Sequence, residues 1–361
     1  MAFIGGPRQV GKTTLALSVF NAHTKTAPFY LNWDHLSDRT RIMKEELPLS
    51  HGQLIFDEIH KYKFWRRMIK GFYDKHGDTQ KVIVTGSARL DHFRKGGDSL
   101  LGRYHYYRLH PFSLSEMAAK PSKQDVEHLL KFGGFPEPLF KGQEKHWRRW
   151  QKERVTKVIY EDLRDLQQVR EISLIELLVD SLPSKVASPL SIASLREDLG
   201  VAQQTVAKWI DTLDSLYLTF RISPYGSPKI RAVKKEQKLY FWDWSMNPDI
   251  GQRFENMVAS HLLKYCHFLE DSEGFKMELR YLRDTDKREV DFVVVKDKKP
   301  LFAVECKVSD RELSGHMAYF KERTNIPKFY QVHMGEKDFG DAKVSGRILP
   351  FHRFCEEENM V

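Results

Sequence analysis

Gly6-Pro7-Arg8-Gln9-Val10-Gly11-Lys12-Thr13 is the stretch on which the fold of the front of the chain turns. It matches the pattern G-x-x-x-x-G-K-[ST] at every fixed position. Phe3-Ile4 before it reads as the end of a strand, and Thr14-Leu15-Ala16-Leu17-Ser18-Val19-Phe20 after it as a helix. In that setting the loop wraps its backbone N–H groups around phosphates, and the helix turns the positive end of its dipole toward the same anion. Gly6 and Gly11 give the loop its freedom, and Pro7, Arg8, Gln9, Val10 and Thr14 complete the cradle. Lys12 is placed to reach β- and γ-phosphates, and the Thr13 hydroxyl to hold Mg²⁺. A chance glycine-rich turn would not need a strand on one side and a helix on the other.

Outward from this loop, Pro28 to Asn32 reads as a second strand and Arg39 to Leu47 as a polar helix. Gln53-Leu54-Ile55-Phe56-Asp57-Glu58 is an apolar run closed by two acids, as in a buried parallel strand that delivers carboxylates at its end. Asp57 would hold Mg²⁺ through water, and Glu58 would orient or deprotonate the attacking water. Lys81 to Arg89 is a fourth strand ending in small polar residues. Ser87 is the candidate for contact with that water or the γ-phosphate, with Thr85 in reserve; Ser87 equally suits a helix N-cap. Tyr104 to Leu109 makes a fifth strand, and Arg103 or Arg89 is the candidate arginine finger, in cis or from a neighbouring subunit.

The residues at 6–14, 56–61 (Phe-Asp-Glu-Ile-His-Lys), 85–89 (Thr-Gly-Ser-Ala-Arg), 100–103 (Leu-Leu-Gly-Arg) and 133–138 (Gly-Gly-Phe-Pro-Glu-Pro) together resemble a prokaryotic family. Its members join an AAA-like P-loop ATPase module to a C-terminal domain of unknown function with a restriction-endonuclease-like fold. The resemblance spans nearly the whole chain and implies ATP binding with a sheet ordered 5-1-4-3-2. It also implies that Gly134 and Pro136 line the nucleotide site from a small helical lid, although the same residues suit a tight turn between helices. Members carry residues ahead of the first strand that help to cover the adenine; this sequence reaches its strand almost at once.

Behind the lid, Lys141 to Lys157 is a basic helix carrying Lys145, Arg148, Arg149, Lys152, Arg154 and Lys157 around Trp147 and Trp150. It reads either as a solvated face or as a phosphate-binding stripe. Ser191–Gly200, Val201–Leu213 and Leu218–Ile222 give a helix-turn-helix followed by a strand, the order of a winged helix. Gln203, Gln204, Thr205 and Lys208 would face a groove in a DNA-binding version. Asp211 and Asp214 reduce the charge of that helix, so a packing role stays open.

The tail carries a second constellation. Phe254 to Leu263 is an amphipathic helix bearing Glu255, Glu289 to Val295 is a strand with Asp291, and Leu301 to Val308 is a strand with Glu305 and Lys307. Glu305 and Lys307 are two apart on a strand and share a face. An Asp followed about a dozen residues later by Glu-x-Lys resembles the PD-(D/E)xK nuclease pattern, and Glu255 matches the acid that often completes it. In such a site Asp291 and Glu305 bind Mg²⁺ with help from Glu255. Lys307 positions the attacking water and stabilises the charged phosphate. Cleavage and binding without cleavage are both consistent with this pattern.

The chain has 361 residues, 30% charged, with a net charge of +9, which suits a polyanionic partner such as DNA. No apolar stretch approaches the ~20 residues of a membrane span. Cys266, Cys306 and Cys355 lie far apart and form no metal spacing, so a reduced cytoplasmic protein is expected. The expectation is an α/β chain with ATP and Mg²⁺ as cofactors, and with DNA and a homo-oligomeric copy of itself as candidate partners. A P-loop core (1–112), a helical lid (113–170), a winged helix (171–225) and a nuclease-like domain (226–361) make up its parts.

Overall fold

The computed structural model describes the chain apart from residues 87–99, 101, 164–171, 227–235, 310–312 and 342–345. It divides into two compact units, Met1–His110 with Ser215–Tyr217, and Pro111–Asp214 with Leu218–Val361.

The first unit is built on five parallel strands. β1 (Ala2–Gly5) lies between β4 (Lys81–Gly86) and β5 (His105–Arg108); β3 (Gln53–Asp57) and then β2 (Tyr30–Asn32) follow on the β4 side. The order β2-β3-β4-β1-β5 is the expected 5-1-4-3-2 read from the other edge. Leu54, Ile55 and Phe56 are fully buried, as a strand covered on both faces requires. β5 at the edge keeps two of its four residues exposed. Three helices cover the sheet, α1 (Lys12–Val19), α2 (Leu36–Met43) and α3 (Trp65–His76). α3 buries Trp65, Ile69 and Phe72 at helical spacing. The register Asp57↔Thr85 and Gly5↔Gly86 brings the ends of β3, β4 and β1 to one edge of the sheet.

The second unit opens with α4 (Leu114–Met117), α5 (Lys123–Phe132), α6 (Pro136–Lys141) and α7 (Glu144–Lys157). The six basic residues from Lys145 to Lys157 all lie on α7, which begins after Gly142; that glycine ends α6 with a φ of 58°, in the left-handed region. Of these six, Arg154 is buried at 1% exposure with its guanidinium 4.2 Å from the Phe135 ring centre, while Lys145, Arg148, Arg149 and Lys152 are exposed. α8 (Ile172–Ser181), α9 (Ile192–Leu199) and α10 (Gln203–Ser215) follow.

An eight-stranded mixed sheet forms the rest of this unit, ordered β12-β13-β11-β10-β9-β8-β6-β7. β6 (Thr219–Pro224) pairs antiparallel with β7 (Lys238–Phe241) and parallel with β8 (Met277–Arg283). The segments 171–225 and 226–361 therefore share one sheet. β8, β9 (Glu289–Lys296) and β10 (Lys299–Lys307) form an antiparallel meander. Asp297 and Lys298 both take positive φ between β9 and β10, the geometry of a tight hairpin turn. β11 (Phe329–His333) lies parallel to β10, and β13 (Gly346–Pro350) parallel to β11, with β12 (Phe339–Asp341) antiparallel at the edge. α11 (Ile250–Glu273) packs on the meander; α12 (Gly315–Arg323) precedes β11 and α13 (Phe351–Glu357) follows β13. Among the described residues, no helix is long and apolar enough to cross a membrane.

Candidate functional site

The loop after β1 turns because two positions require glycine. A Cβ on Gly6 would stand 2.3 Å from the Leu109 carbonyl oxygen, and Gly11 caps α1 with φ 104°. Lys12, 6% exposed, folds its ammonium back into the loop and donates to the carbonyls of Gly6 (3.1 Å) and Pro7 (2.7 Å). The cationic group thus lies within the hollow of the loop beside the N-terminus of α1, the arrangement an anion needs.

Asp57, 4% exposed, receives three hydroxyl protons: from Thr13 at 2.8 Å, from Tyr30 at 2.6 Å, and from Thr85. Burial and the neighbouring Asp57 charge hold the Tyr30 phenol far above its ordinary pKa. Thr13 and Asp57 come from elements 44 residues apart, and their contact fits an ion bound by one hydroxyl, one carboxylate, water and phosphate. Thr85, the reserve for Ser87, therefore binds Asp57 directly; Ser87 and Arg89 lie outside the described residues. Arg103 pairs with Asp74 at 2.8 Å.

Glu58 takes φ 56°, a left-handed conformation that non-glycine residues seldom adopt. Its N–H donates to the Thr85 carbonyl at 3.1 Å. Its carboxylate lies 3.7 Å from Nε2 of His60, whose ring is 6% exposed. Burial keeps this imidazole below its usual pKa despite the pull of Glu58.

The second constellation converges within the second unit. Asp291 on β9, Glu305 and Lys307 on β10, and Glu255 on α11 meet as the sequence pattern anticipates. The Asp291 Oδ2 accepts the Cys306 N–H at 2.8 Å, and Lys307 donates to Glu305 Oε1 at 2.6 Å. Four residues that the pattern did not single out complete the cluster. Lys238, fully buried at the start of β7, places Nζ 3.3 Å from Glu255 Oε1 and 3.7 Å from Asp291 Oδ1, and pairs with Glu289. The Tyr240 hydroxyl donates to Glu255 Oε1 at 2.8 Å, and Arg283 holds the other oxygen of Glu289.

Burial and the Asp291 charge push Glu255 and Glu305 each up to about 8, and burial raises Asp291 also. Burial by itself would lower Lys238, but the carboxylates of Glu255, Asp291 and Glu289 outweigh it and hold the ammonium charged. Glu305 Oε2 is buried without a hydrogen-bond partner. Among the described residues, no three His, Cys, Asp or Glu side chains stand in a geometry that holds a metal ion. Lys238 closes the basic run that begins at Lys229; the signal that sets it apart is its place directly before Leu239-Tyr240-Phe241, where a strand face is buried.

Gly134 and Pro136 belong to the second unit, and local packing accounts for both. A Cβ on Gly134 would stand 2.6 Å from the Phe112 carbonyl oxygen and 2.7 Å from the Trp244 ring, and Pro136 opens α6. On α10, Gln203, Gln204 and Lys208 are exposed and Thr205 is half-buried, while Asp214 is buried and bonded to Thr219 and Arg221.

Three family models match successive stretches of the chain. The AAA domain family matches residues 1–118, a domain of unknown function (DUF8612) residues 123–250, and a second (DUF4143) residues 250–354. An uncharacterized protein of Methanocaldococcus jannaschii is 24% identical over 335 residues, covering 83% of this chain and 73% of its own length. One of Mycobacterium tuberculosis is 22% identical over 280 residues, covering 73% of this chain and 62% of its own length. A solved structure of the Aeropyrum pernix ORC1 protein in complex with DNA aligns at a TM-score of 0.33 and 14% identity, over 72% of this chain and 86% of that one. The AAA domain model covers the first unit, whose phosphate-loop motif and five-stranded parallel sheet are those of a P-loop NTPase fold.

Proposed function

We propose that the chain is a Mg²⁺-dependent ATPase whose nucleotide cycle is coupled to the engagement of DNA by its second, nuclease-like unit. The observation that carries the first half is the contact of Thr13 with Asp57 at 2.8 Å beside the Lys12 loop. Thr13 and Asp57 would hold Mg²⁺, which supplies charge compensation for the β- and γ-phosphate oxygens. Lys12 leaves the Gly6 and Pro7 carbonyls to donate to those oxygens, and the backbone N–H groups of the loop bind the rest of the triphosphate. Glu58 orients the attacking water and accepts its proton, with Ser87 or Thr85 as the polar partner at the end of β4.

Support for DNA engagement comes from the net charge of +9 and from the exposed cations Lys145, Arg149 and Lys152 along α7. α9, α10 and the β6–β7 pair follow the order of a winged helix, with Gln203, Gln204 and Lys208 outward on α10. α11, the meander β8–β10, α12 and the parallel β11 follow the order of a nuclease-like core around Asp291, Glu305 and Lys307. A second reading, a nucleotide-driven switch whose rear unit binds without cutting, is favoured by one observation: the Lys238 ammonium among the carboxylates.

The test measures ATP hydrolysis for the wild type, Lys12→Ala and Glu58→Gln, and duplex DNA binding at several salt concentrations. Loss of hydrolysis in both variants, with DNA affinity that falls steeply as salt rises, is the expected result. Unchanged hydrolysis in Lys12→Ala would overturn the first half, and salt-independent or absent binding the second. DNA cleavage with Mg²⁺ that Asp291→Ala abolishes would decide against the non-cutting switch.

A further inference from the structure

We infer that the carboxylate cluster of the second unit takes its cation from the chain itself, and that the Lys238 ammonium closes it to a divalent metal ion. The inference deepens the nuclease-like reading and rests on it for the expectation that an ion belongs there. Lys238 comes from β7, outside the meander, and its Nζ reaches Glu255 on α11 and Glu289 and Asp291 on β9. One buried positive charge therefore joins two elements through three acids.

The donor set does not suit a dedicated divalent ion. Glu255 Oε1 already accepts from Tyr240 and Lys238; Glu289 is held by Lys238 and Arg283; Asp291 Oδ2 by the Cys306 N–H; Glu305 Oε1 by Lys307. The oxygens left are Glu255 Oε2, whose carboxylate already pairs with the ammonium through Oε1, Asp291 Oδ1, 3.7 Å from the ammonium, and the partnerless Glu305 Oε2. An ion on Asp291 Oδ1 would stand close to a fixed ammonium in a low-dielectric interior, where repulsion between like charges is strong. The charge count agrees: the acids Glu255, Glu289, Asp291 and Glu305 already face the cations Lys238, Lys307 and Arg283, so a further double positive charge would overcompensate them. Glu305 Oε2 completes its hydrogen bonding with a water or a proton.

The balance explains why Lys238 tolerates full burial. Removing one partner of a buried ion pair leaves the others uncompensated. Without Lys238, the acids would face one another with only Lys307 and Arg283 beside them, and a divalent ion would then be the remaining way to neutralise the cluster.

The experiment uses the full chain carrying Lys12→Ala and Asp57→Asn, so that the first unit contributes no metal site. Mn²⁺ binding is counted by the loss of the free-ion electron paramagnetic signal and checked by the shift in melting temperature. In this background no Mn²⁺ binding sensitive to Asp291→Asn is expected. Adding Lys238→Met should create about one bound Mn²⁺ per chain and a melting temperature that rises with Mn²⁺, both removed by Asp291→Asn. Mn²⁺ binding in the Lys238 background that Asp291→Asn abolishes overturns the inference, and so does a folded Lys238→Met protein that gains no site. If Lys238→Met does not fold, the comparison with Asp291→Asn decides by itself. Metal binding is read here without DNA, so failure of the DNA-engagement reading leaves this result standing and the two are told apart.

Discussion

His261 on α11 offers the sharpest test of the packing of the second unit. Its ring is 3% exposed. Nδ1 lies 2.7 Å from the Met257 carbonyl, and Nε2 accepts the Leu114 N–H at 3.0 Å. Both contacts together demand the neutral ring with its proton on Nδ1. Charging it would cost the Leu114 bond, and Lys264 on the same helix opposes a second positive charge, with Glu116 giving partial relief. Burial accordingly pushes His261 down to about 4.

The unfolded chain takes up this proton near the ordinary 6.5, whereas the folded chain resists until about 4. The folded state binds fewer protons between those values, so stability is full above pH 6.5 and falls as the pH drops toward 4. The gap corresponds to about 3 kcal/mol. His261→Leu removes the titration but strands the buried Leu114 N–H, which costs about 1–3 kcal/mol at neutral pH. Urea unfolding, followed by the fluorescence of Trp244 whose ring centre is 5.7 Å from His261, reads both effects. At pH 7.5 the variant should be the less stable protein; at pH 4.5 the difference should vanish or reverse. A difference of equal size at both pH values would refute the assignment of a neutral, doubly bonded ring.

Further expectations follow from backbone geometry and from the first unit. Gly6→Ala forces a Cβ to 2.3 Å from the Leu109 carbonyl, so it should cost about 1–3 kcal/mol in the first unit and weaken binding of a fluorescent ATP analogue. Gly134→Ala meets Phe112 and Trp244 and should lower the melting temperature by a similar energy in the second unit. Gly71→Ala, in the middle of α3 with no atom within 4 Å of the new Cβ, should instead stabilise by about 0.5–1 kcal/mol in the same melting assay. Glu58→Gln should lower the ATP hydrolysis rate on the order of 10²-fold while the ATP analogue still binds, because the amide keeps the position but cannot accept the proton.

Much of the first unit was legible in the sequence because its signals are local. The loop 6–13 names its own flanks, and the apolar run 53–57 closed by Glu58 declares a buried parallel strand with its acids at one end. Asp291, Glu305 and Lys307 were legible for the same reason: the two-residue repeat of a strand places Glu305 and Lys307 on one face, and the turn at Asp297 and Lys298 folds β9 back on β10. The helix break at Gly142 was hidden, since a basic and aromatic composition on both sides masks a single left-handed residue. Arg154 was misleading on the same ground, because a guanidinium stacked on Phe135 has the same letter as one in water.

Local patterning specified the phosphate loop and its flanking strand and helix, the parallel strands around it, and the acids that share a strand face in the second unit. The parallel pairing of β6 with β8, which joins 171–225 to 226–361 in one sheet, and the entry of the Lys238 ammonium into the cluster of Glu255, Glu289 and Asp291 arise in the folded chain alone. Periodicity and motif spacing act within about a dozen residues, whereas the pairing of charges depends on which distant elements meet. Once those charges are buried, the low dielectric strengthens every attraction and repulsion among them, so each must find its counter-charge within the fold, and no local pattern records which one it finds.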